Sequence, residues 1–205
     1  MATKLQNVSA FILSGGSSSR MGADKALLEW NGQPLLLRAA RLLDPLVASV
    51  TVIGDPARYA ALGLAVVPDD VPNLGPLGGI ATALRISRFP WNLVVGCDLP
   101  YLTAAWLEFL ISRALASRAD VLLPAGECGP EPLCAVYHAR CAPVISAALE
   151  RGVRKVTDGL AGLVIETLPQ EEWKPFDSDG CLFKNMNSPA DYEWARARLK
   201  GKLPE

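Results

Sequence analysis

The residues best suited to chemistry lie between Leu13 and Lys25, which read Leu-Ser-Gly-Gly-Ser-Ser-Ser-Arg-Met-Gly-Ala-Asp-Lys. Gly15 and Gly16 let the backbone turn sharply and leave room for a ligand to approach main-chain N–H groups. Ser17, Ser18 and Ser19 add hydroxyl donors, and Arg20 and Lys25 place two cations over the same loop. Amide donors combined with positive charge are what a polyphosphate needs. The spacing is not that of a Walker A loop, in which Lys directly follows the second Gly, and there is no Gly-x-Gly-x-x-Gly fingerprint. A bare Gly-Gly-Ser run is ordinarily a flexible turn. Here an apolar run precedes it and two cations follow, which favours phosphate binding.

Asp98 closes a second apolar run, in Val94-Val95-Gly96-Cys97-Asp98-Leu99-Pro100. A carboxylate buried there without a partner is costly. A hard divalent cation is a natural partner, and Mg²⁺ commonly takes one or two carboxylates together with phosphate oxygens. The plainer reading is an Asx-turn before Pro100, but a cationic polyphosphate loop opposite favours the metal. Asp69 follows another apolar run, where it can face ribose, base or metal-bound water, or simply be a solvated turn residue; Asp70 beside it competes for either role. Gly75-Pro76-Leu77-Gly78-Gly79 suits close backbone approach to a flat base, although a helix entry is the simpler reading.

The elements that must position these residues alternate between strand and helix. A buried strand over Val8–Leu13 precedes the Gly-rich stretch. Trp30 to Pro34 reads as a turn, and Pro34 suits the first turn of a helix through Leu43 with Leu35, Leu36, Ala39, Leu42 and Leu43 apolar. Val50–Ile53 is a strand broken by Gly54-Asp55-Pro56, a short helix surrounds Tyr59, and Leu64–Val67 is a third strand. A helix is predicted over Ile80–Ile86, then a strand from Trp91 to Gly96. Thr103 caps a helix through about Ala116. Further strands are expected at 120–123, after Glu131-Pro132-Leu133, and at 163–167. Pro143–Leu149 is helical and stops at Gly152, and Ser188 caps a final helix with Pro189 in its first turn. This order predicts an α/β protein with a three-layer α/β/α build and a mainly parallel sheet. Ligands on such sheets sit beyond the carboxyl ends of the strands. The Gly-rich stretch, Asp69 and Asp98 all follow strands, so one cleft can hold all three.

At 205 residues with half of them hydrophobic, the chain can build one substantial core. A net charge of −1 gives no general attraction to nucleic acid or to a membrane surface, so no partner of either kind is expected. No apolar run is long enough to span a bilayer, and the residues before Val8 are not expected to act as a signal peptide. The five cysteines form no Cys-x-x-Cys pair, which suggests reduced thiols in a cytoplasmic protein. His138 is the only histidine, so a multi-histidine metal site is impossible. It is expected at the surface or partly packed.

The pattern Leu-Ser-Gly-Gly-x-x-x-Arg-Met-Gly-x-x-Lys resembles the signature loop of the nucleotidyltransferases, and among them most closely that of the molybdenum cofactor guanylyltransferases. Ser14 stands where that family usually has Ala. The resemblance recurs along nearly the whole chain. It implies a Rossmann-like nucleotidyltransferase fold in one domain over 1–205, with a nucleotide-binding part at about 7–100 and a pterin-side part at about 101–200. It implies GTP on Leu13, Ser14, Gly15, Gly16, Lys25, Asp69, Gly75, Pro76, Leu77 and Gly78, with Mg²⁺ on Asp98 through the family's Cys-Asp-x-Pro motif. Arg20, Lys25 and Asp98 would carry catalysis. In similar proteins the Gly-Pro-Leu segment lines a guanine pocket, where backbone carbonyls accept from the base; this tilts the base from CTP to GTP. Ile53 occupies a position that can be Asn in the family, with Asp55 as a possible substitute. Glu131, Arg154, Lys155, Asn185 and Asn187 match pterin-side segments, although each also reads plainly as surface charge or turn residue.

The expected reaction is attack of the terminal phosphate of molybdopterin on the α-phosphorus of GTP, releasing pyrophosphate. A phosphate nucleophile is already ionised near neutral pH, so positioning and charge neutralisation carry the rate. Rival readings are a CTP-dependent molybdopterin cytidylyltransferase, a sugar-1-phosphate nucleotidyltransferase and a non-catalytic nucleotide-binding module. Cofactor-delivery proteins are partners implied by the resemblance alone.

Overall fold

The structure is a computed structural model and describes residues 5–15, 24–126 and 129–199. Its strands are β1 (Leu5–Leu13), β2 (Glu29–Trp30), β3 (Gln33–Pro34), β4 (Val47–Ile53), β5 (Val66–Val67), β6 (Trp91–Gly96), β7 (Val121–Gly126), β8 (Gly129–Pro130), β9 (Cys134–His138) and β10 (Ile165–Leu168). Its helices are α1 (Leu35–Leu43), α2 (Pro56–Tyr59), α3 (Gly75–Ile86), α4 (Ala104–Ala116), α5 (Ala142–Glu150), α6 (Val156–Gly159), α7 (Gln170–Trp173) and α8 (Pro189–Leu199).

The main sheet runs β10-β7-β9-β6-β1-β4-β5, with β8 folded back on β7. All neighbours on the β6-β1-β4-β5 side are parallel, and β10 is parallel to β7. Strand β9 is antiparallel to both β6 and β7. The mainly parallel expectation holds, and this inverted strand is its one exception in the main path. Sequence periodicity reports burial and not direction, so β9 carried no sign of its inversion.

Alternation along the central strands builds both faces. Val8, Ala10 and Ile12 join Val95 and Leu93 under α1 and α4, around Trp106, Leu107, Leu110 and Leu36. Phe11 and Leu13 point the other way, into a second core formed with Leu77, Ile80 and Leu84 of α3 and Ile145 of α5. Helices cover both faces, as the three-layer expectation requires. A third cluster joins Trp30, Leu35, Met186 and Ala195, and seats α8 beside the β2–β3 hairpin. That hairpin turns at Asn31 and Gly32, with φ of 51° and 79°; two positive-φ residues are what its tight turn demands.

Several boundaries moved. β4 begins at Val47, and only Val66–Val67 of the expected 64–67 strand pairs. Pro34 sits one residue before α1 and not in its first turn. The largest change is at α3. It starts at Gly75, so the Gly-Pro-Leu-Gly-Gly segment is its first turns and does not precede a helix that begins at Ile80. Pro at the second helical position lacks only an N–H that would be unbonded anyway, so the segment enters a helix without loss. The Thr103 and Ser188 caps are as expected, with Thr103 Oγ1 accepting from Trp106 N and Ser188 Oγ from Asp191 N. Among the described residues no helix is long and apolar enough to cross a membrane.

Candidate active site

The carboxyl ends of β1, β4 and β6 meet at one edge of the sheet, tied by main-chain bonds. Cys97 N donates to Leu13 O at 3.1 Å and Ser14 N to Ile53 O at 3.0 Å. These bonds put Ser14, Gly15, Cys97 and Asp98 on adjacent loops. Asp24 and Lys25 return to the same edge, where Lys25 begins a short 3-10 turn capped by the Asp24 carboxylate.

Asp98 is largely desolvated, which raises its carboxyl above the usual range, and the nearby Lys25 charge pulls it back down. No side chain among the described residues donates a hydrogen bond to it. Gly96 makes room for it, since a Cβ there would lie 2.6 Å from Asp98 Oδ1. The half-buried Glu131 is close enough to feel the same charge: burial first, and Asp98 second, push it up to about 7. Cys97 stays a protonated thiol because burial raises it strongly.

Asp69 and Asp70 separate clearly. Asp70 is taken by a two-pronged ion pair with Arg85 on α3. Asp69 instead turns between the Gly-rich stretch and α3. A Cβ on Gly15 would stand 3.5 Å from its Oδ2, and one on Gly79 would stand 3.6 Å from its Oδ1. Its Oδ1 is buried without a hydrogen-bond partner among the described residues, and burial, then the Asp70 charge, raise its carboxyl. An unpaired buried acceptor of this kind fits a ligand donor.

The structure sorts the remaining candidates unevenly. Gly16 and Arg20 lie outside the described residues. Leu13 is buried in the second core, so only its main chain faces the site. Gly75 and Pro76 are exposed, whereas Leu77 and Gly78 are buried. As the first turns of a helix, Gly75, Leu77 and Gly78 have main-chain N–H groups without a partner inside the helix, and Pro76 has none to offer, while the carbonyls of the segment enter the helical bonding pattern. Ile53 is 1% exposed and its carbonyl is used by Ser14. Asp55 caps α2 through Ala57 N and pairs with Arg58, so it does not stand in for an Asn at position 53.

Asn187 is brought to Lys25, whose Nζ donates to its Oδ1 at 2.8 Å. Met186 N donates to Asp98 O at 2.9 Å, which lays the 185–187 segment along the Asp98 loop. Asn185 is exposed beside them. Glu131, Asn185 and Asn187 therefore gather around Asp98 and Lys25. Arg154 and Lys155 do not join them. Arg154 donates to Leu149 O and Val153 O at the end of α5, and Lys155 pairs with Asp158 at 3.8 Å. They lead into α6, which packs on α3 where Leu77 meets Gly159.

Sequence reasoning missed Tyr59 and Asp24 as parts of this edge. The Tyr59 hydroxyl lies 3.1 Å from both Ser14 O and Asp24 Oδ2. A lone Tyr in a short helix carries no signal for such a contact.

Among the described residues no three His, Cys, Asp or Glu side chains converge on a metal position. A magnesium ion that takes most of its oxygens from phosphate and water needs fewer. The desolvated Asp98 carboxylate, with no side-chain donor among the described residues, suits such an ion.

Comparison with known proteins gives this edge a context. Residues 10–164 match the family described as MobA-like NTP transferase domain. A probable molybdenum cofactor guanylyltransferase of Deinococcus radiodurans is 36% identical over 201 residues, covering 97% of this chain and 96% of that protein. One from Synechococcus elongatus is 35% identical over 195 residues, covering 91% and 97%. The crystal structure of molybdopterin-guanine dinucleotide biosynthesis protein A from Archaeoglobus fulgidus superposes with a TM-score of 0.82 at 26% identity, covering 95% of this chain and all of that one. With the parallel strand ends, the signature stretch and this extent of match together, the chain belongs to the MobA-like NTP transferase family.

Proposed function

We propose that this chain transfers GMP from GTP to the terminal phosphate of molybdopterin, releasing pyrophosphate and forming the guanine dinucleotide. The observation that carries the reading is the desolvated Asp98 carboxylate facing Lys25 beyond the carboxyl ends of β1 and β6. The names of the relatives support guanylyl transfer to this cofactor.

In this reading Gly15 and Gly16 donate main-chain N–H groups to the triphosphate, and Arg20 and Lys25 supply charge. Asp69 accepts from the nucleoside through its unpaired oxygen. The exposed start of α3 at Gly75 and Pro76 borders the base. Asp98 would hold Mg²⁺, and that ion would supply positive charge to neutralise the phosphates. Glu131, Asn185 and Asn187 form the pterin side, while Arg154 and Lys155, set apart by α6 and α3, take no part in it. The nucleotide part at 7–100 and the pterin part at 101–200 then meet at Asp98. A phosphate oxygen of molybdopterin attacks the α-phosphorus in line, the bond to the bridging oxygen breaks, and the electron pair leaves with pyrophosphate. Lys25 stabilises the charge that gathers on the phosphates, and no protein base is required. We place the protein in the cytoplasm, where delivery proteins would hand over the pterin.

Thermal unfolding with GTP, CTP, ATP and UTP, each with and without Mg²⁺, tests the base and the metal. A ligand at 100 times its Kd stabilises by about 2.7 kcal/mol. The expected result is a shift with GTP that Mg²⁺ enlarges, together with pyrophosphate release from GTP and molybdopterin that Asp98→Ala cuts by about 100-fold or more. A larger shift with CTP would overturn the base, and undiminished turnover in Asp98→Ala would overturn the role of that residue.

A further inference from the structure

The Tyr59 side chain is 1% exposed and reaches the candidate site from beneath, on a helix begun by the Asp55 cap and Pro56. A phenol has one proton to donate. Here the hydroxyl faces two acceptors at 3.1 Å, Ser14 O and Asp24 Oδ2. Those acceptors are one residue before Gly15 and one residue before Lys25. Asp24 is held further by Ala26 N at 3.0 Å and by Arg58 at 3.5 Å. Burial, with the Asp24 charge added, pushes the phenol up to about 12, so its proton stays in place across the neutral range. Packing alone does not require this arrangement, since Phe would fill the same volume.

We propose that Tyr59 is a positioning residue of the nucleotide site: its hydroxyl shares one proton between Ser14 O at the end of β1 and Asp24 Oδ2, and so holds Lys25, the residue after Asp24, at the edge that carries Gly15. The inference rests on the reading of this edge as a triphosphate site. It assigns Asp24 a part in the same device, as the charged acceptor that turns a buried phenol into a strut. Removal of the hydroxyl leaves the ring in the core and unties Asp24, the residue before Lys25, from the end of β1.

The test uses the full chain and two probes, GTP and pyrophosphate. Tyr59→Phe is expected to raise the KM for GTP and the inhibition constant of pyrophosphate by the same factor, about tenfold, with kcat changed less than threefold. The KM for molybdopterin stays within twofold. Asp24→Ala, which also removes the cap on Ala26 N and the Arg58 pair, loses at least as much, and Tyr59→Phe adds scarcely anything in that background because its contact with Asp24 is already gone. The pyrophosphate readout separates positioning from loss of folded protein, which would lower kcat and leave both constants unchanged. Wild-type affinity for both probes in Tyr59→Phe, or full additivity in the double variant, would overturn the proposal. Should Tyr59→Phe fail to fold, Asp24→Ala decides, and wild-type affinity for both probes in that variant would overturn the proposal. If the wild-type chain binds neither probe, the triphosphate reading itself falls and takes this inference with it.

Discussion

At the scale of residues, the carboxylates divide by the direction in which the fold moves them. Asp120, Asp177 and Asp191 lie below the usual range, and each has fixed donors: Val164 N and Arg140, Leu182 N and Lys174, and Ser188 with Asn187 N. Asp69, Asp98 and Glu131 are raised, chiefly by burial. The first group supports structure, while the second costs stability and gathers at the candidate site, as functional groups tend to do. Because the Glu131 carboxyl is raised to about 7, the folded chain holds a proton that the unfolded chain releases near 4.5. Its stabilising contribution is complete below about pH 4.5 and is lost as pH rises through about 7. Glu131→Gln should therefore flatten the fall in stability between these limits by on the order of 1 kcal/mol, once partial exposure is discounted. Denaturant titrations of both proteins at pH 5 and pH 8 would show it. Equal slopes would mean that Glu131 is an ordinary solvated carboxylate.

At the scale of elements, the ends of strands do most of the positioning. β6 is buried along its whole length and finishes at Gly96, where the Asp98 carboxylate folds back over the strand. A methyl group at Gly96 meets the far end of a side chain and not backbone, so Asp98 moves and the strand stays. Gly96→Ala is thus expected to lower turnover by about 100-fold with a melting temperature close to wild type, since misplacement by about 1 Å can cost that much. Turnover near normal would show that Asp98 tolerates displacement and weaken its assigned role. This is also where the sequence was most and least legible. Strand, turn and acidic residue in Val-Val-Gly-Cys-Asp announced themselves through apolar runs and turn chemistry. The different surroundings of Asp69 and Asp70 did not: their local pattern left both roles open, the resemblance alone pointed to Asp69, and the pairing of Asp70 depends on Arg85 of α3. Gly78 and Gly79 looked like loop residues because glycine breaks local patterns. Their place in α3 reflects close packing, with a Cβ at Gly79 only 3.2 Å from Leu13 Cδ2. The partnership of Lys25 with Asn187 was invisible for a plainer reason: no local pattern spans such a separation.

At the scale of the molecule, the last helix and the segment before it complete the site from outside the sheet. Met186 is 1% exposed between Trp30, Leu35 and Ala195, and its main chain holds Asp98 O. Tyr192 OH adds a bond to Glu29 O at 2.8 Å. Met186→Ala should cost about 2–3 kcal/mol in a chemical-denaturation measurement, the usual penalty for a buried Met left as a cavity. A loss below about 0.5 kcal/mol would mean that the third cluster does not anchor this segment.

The contact between Lys25 and Asn187 spans 162 positions. Loop closure grows more costly only with the logarithm of length, so the finished contact is little penalised at equilibrium. In time the balance differs, because contacts between distant parts of a chain form slowly. The hairpin at Asn31-Gly32 and the individual helices need only their neighbours, whereas Lys25 must wait for a segment far along the chain to arrive. Competence at this edge is therefore among the later things the folding chain acquires, after much of the local structure that surrounds it.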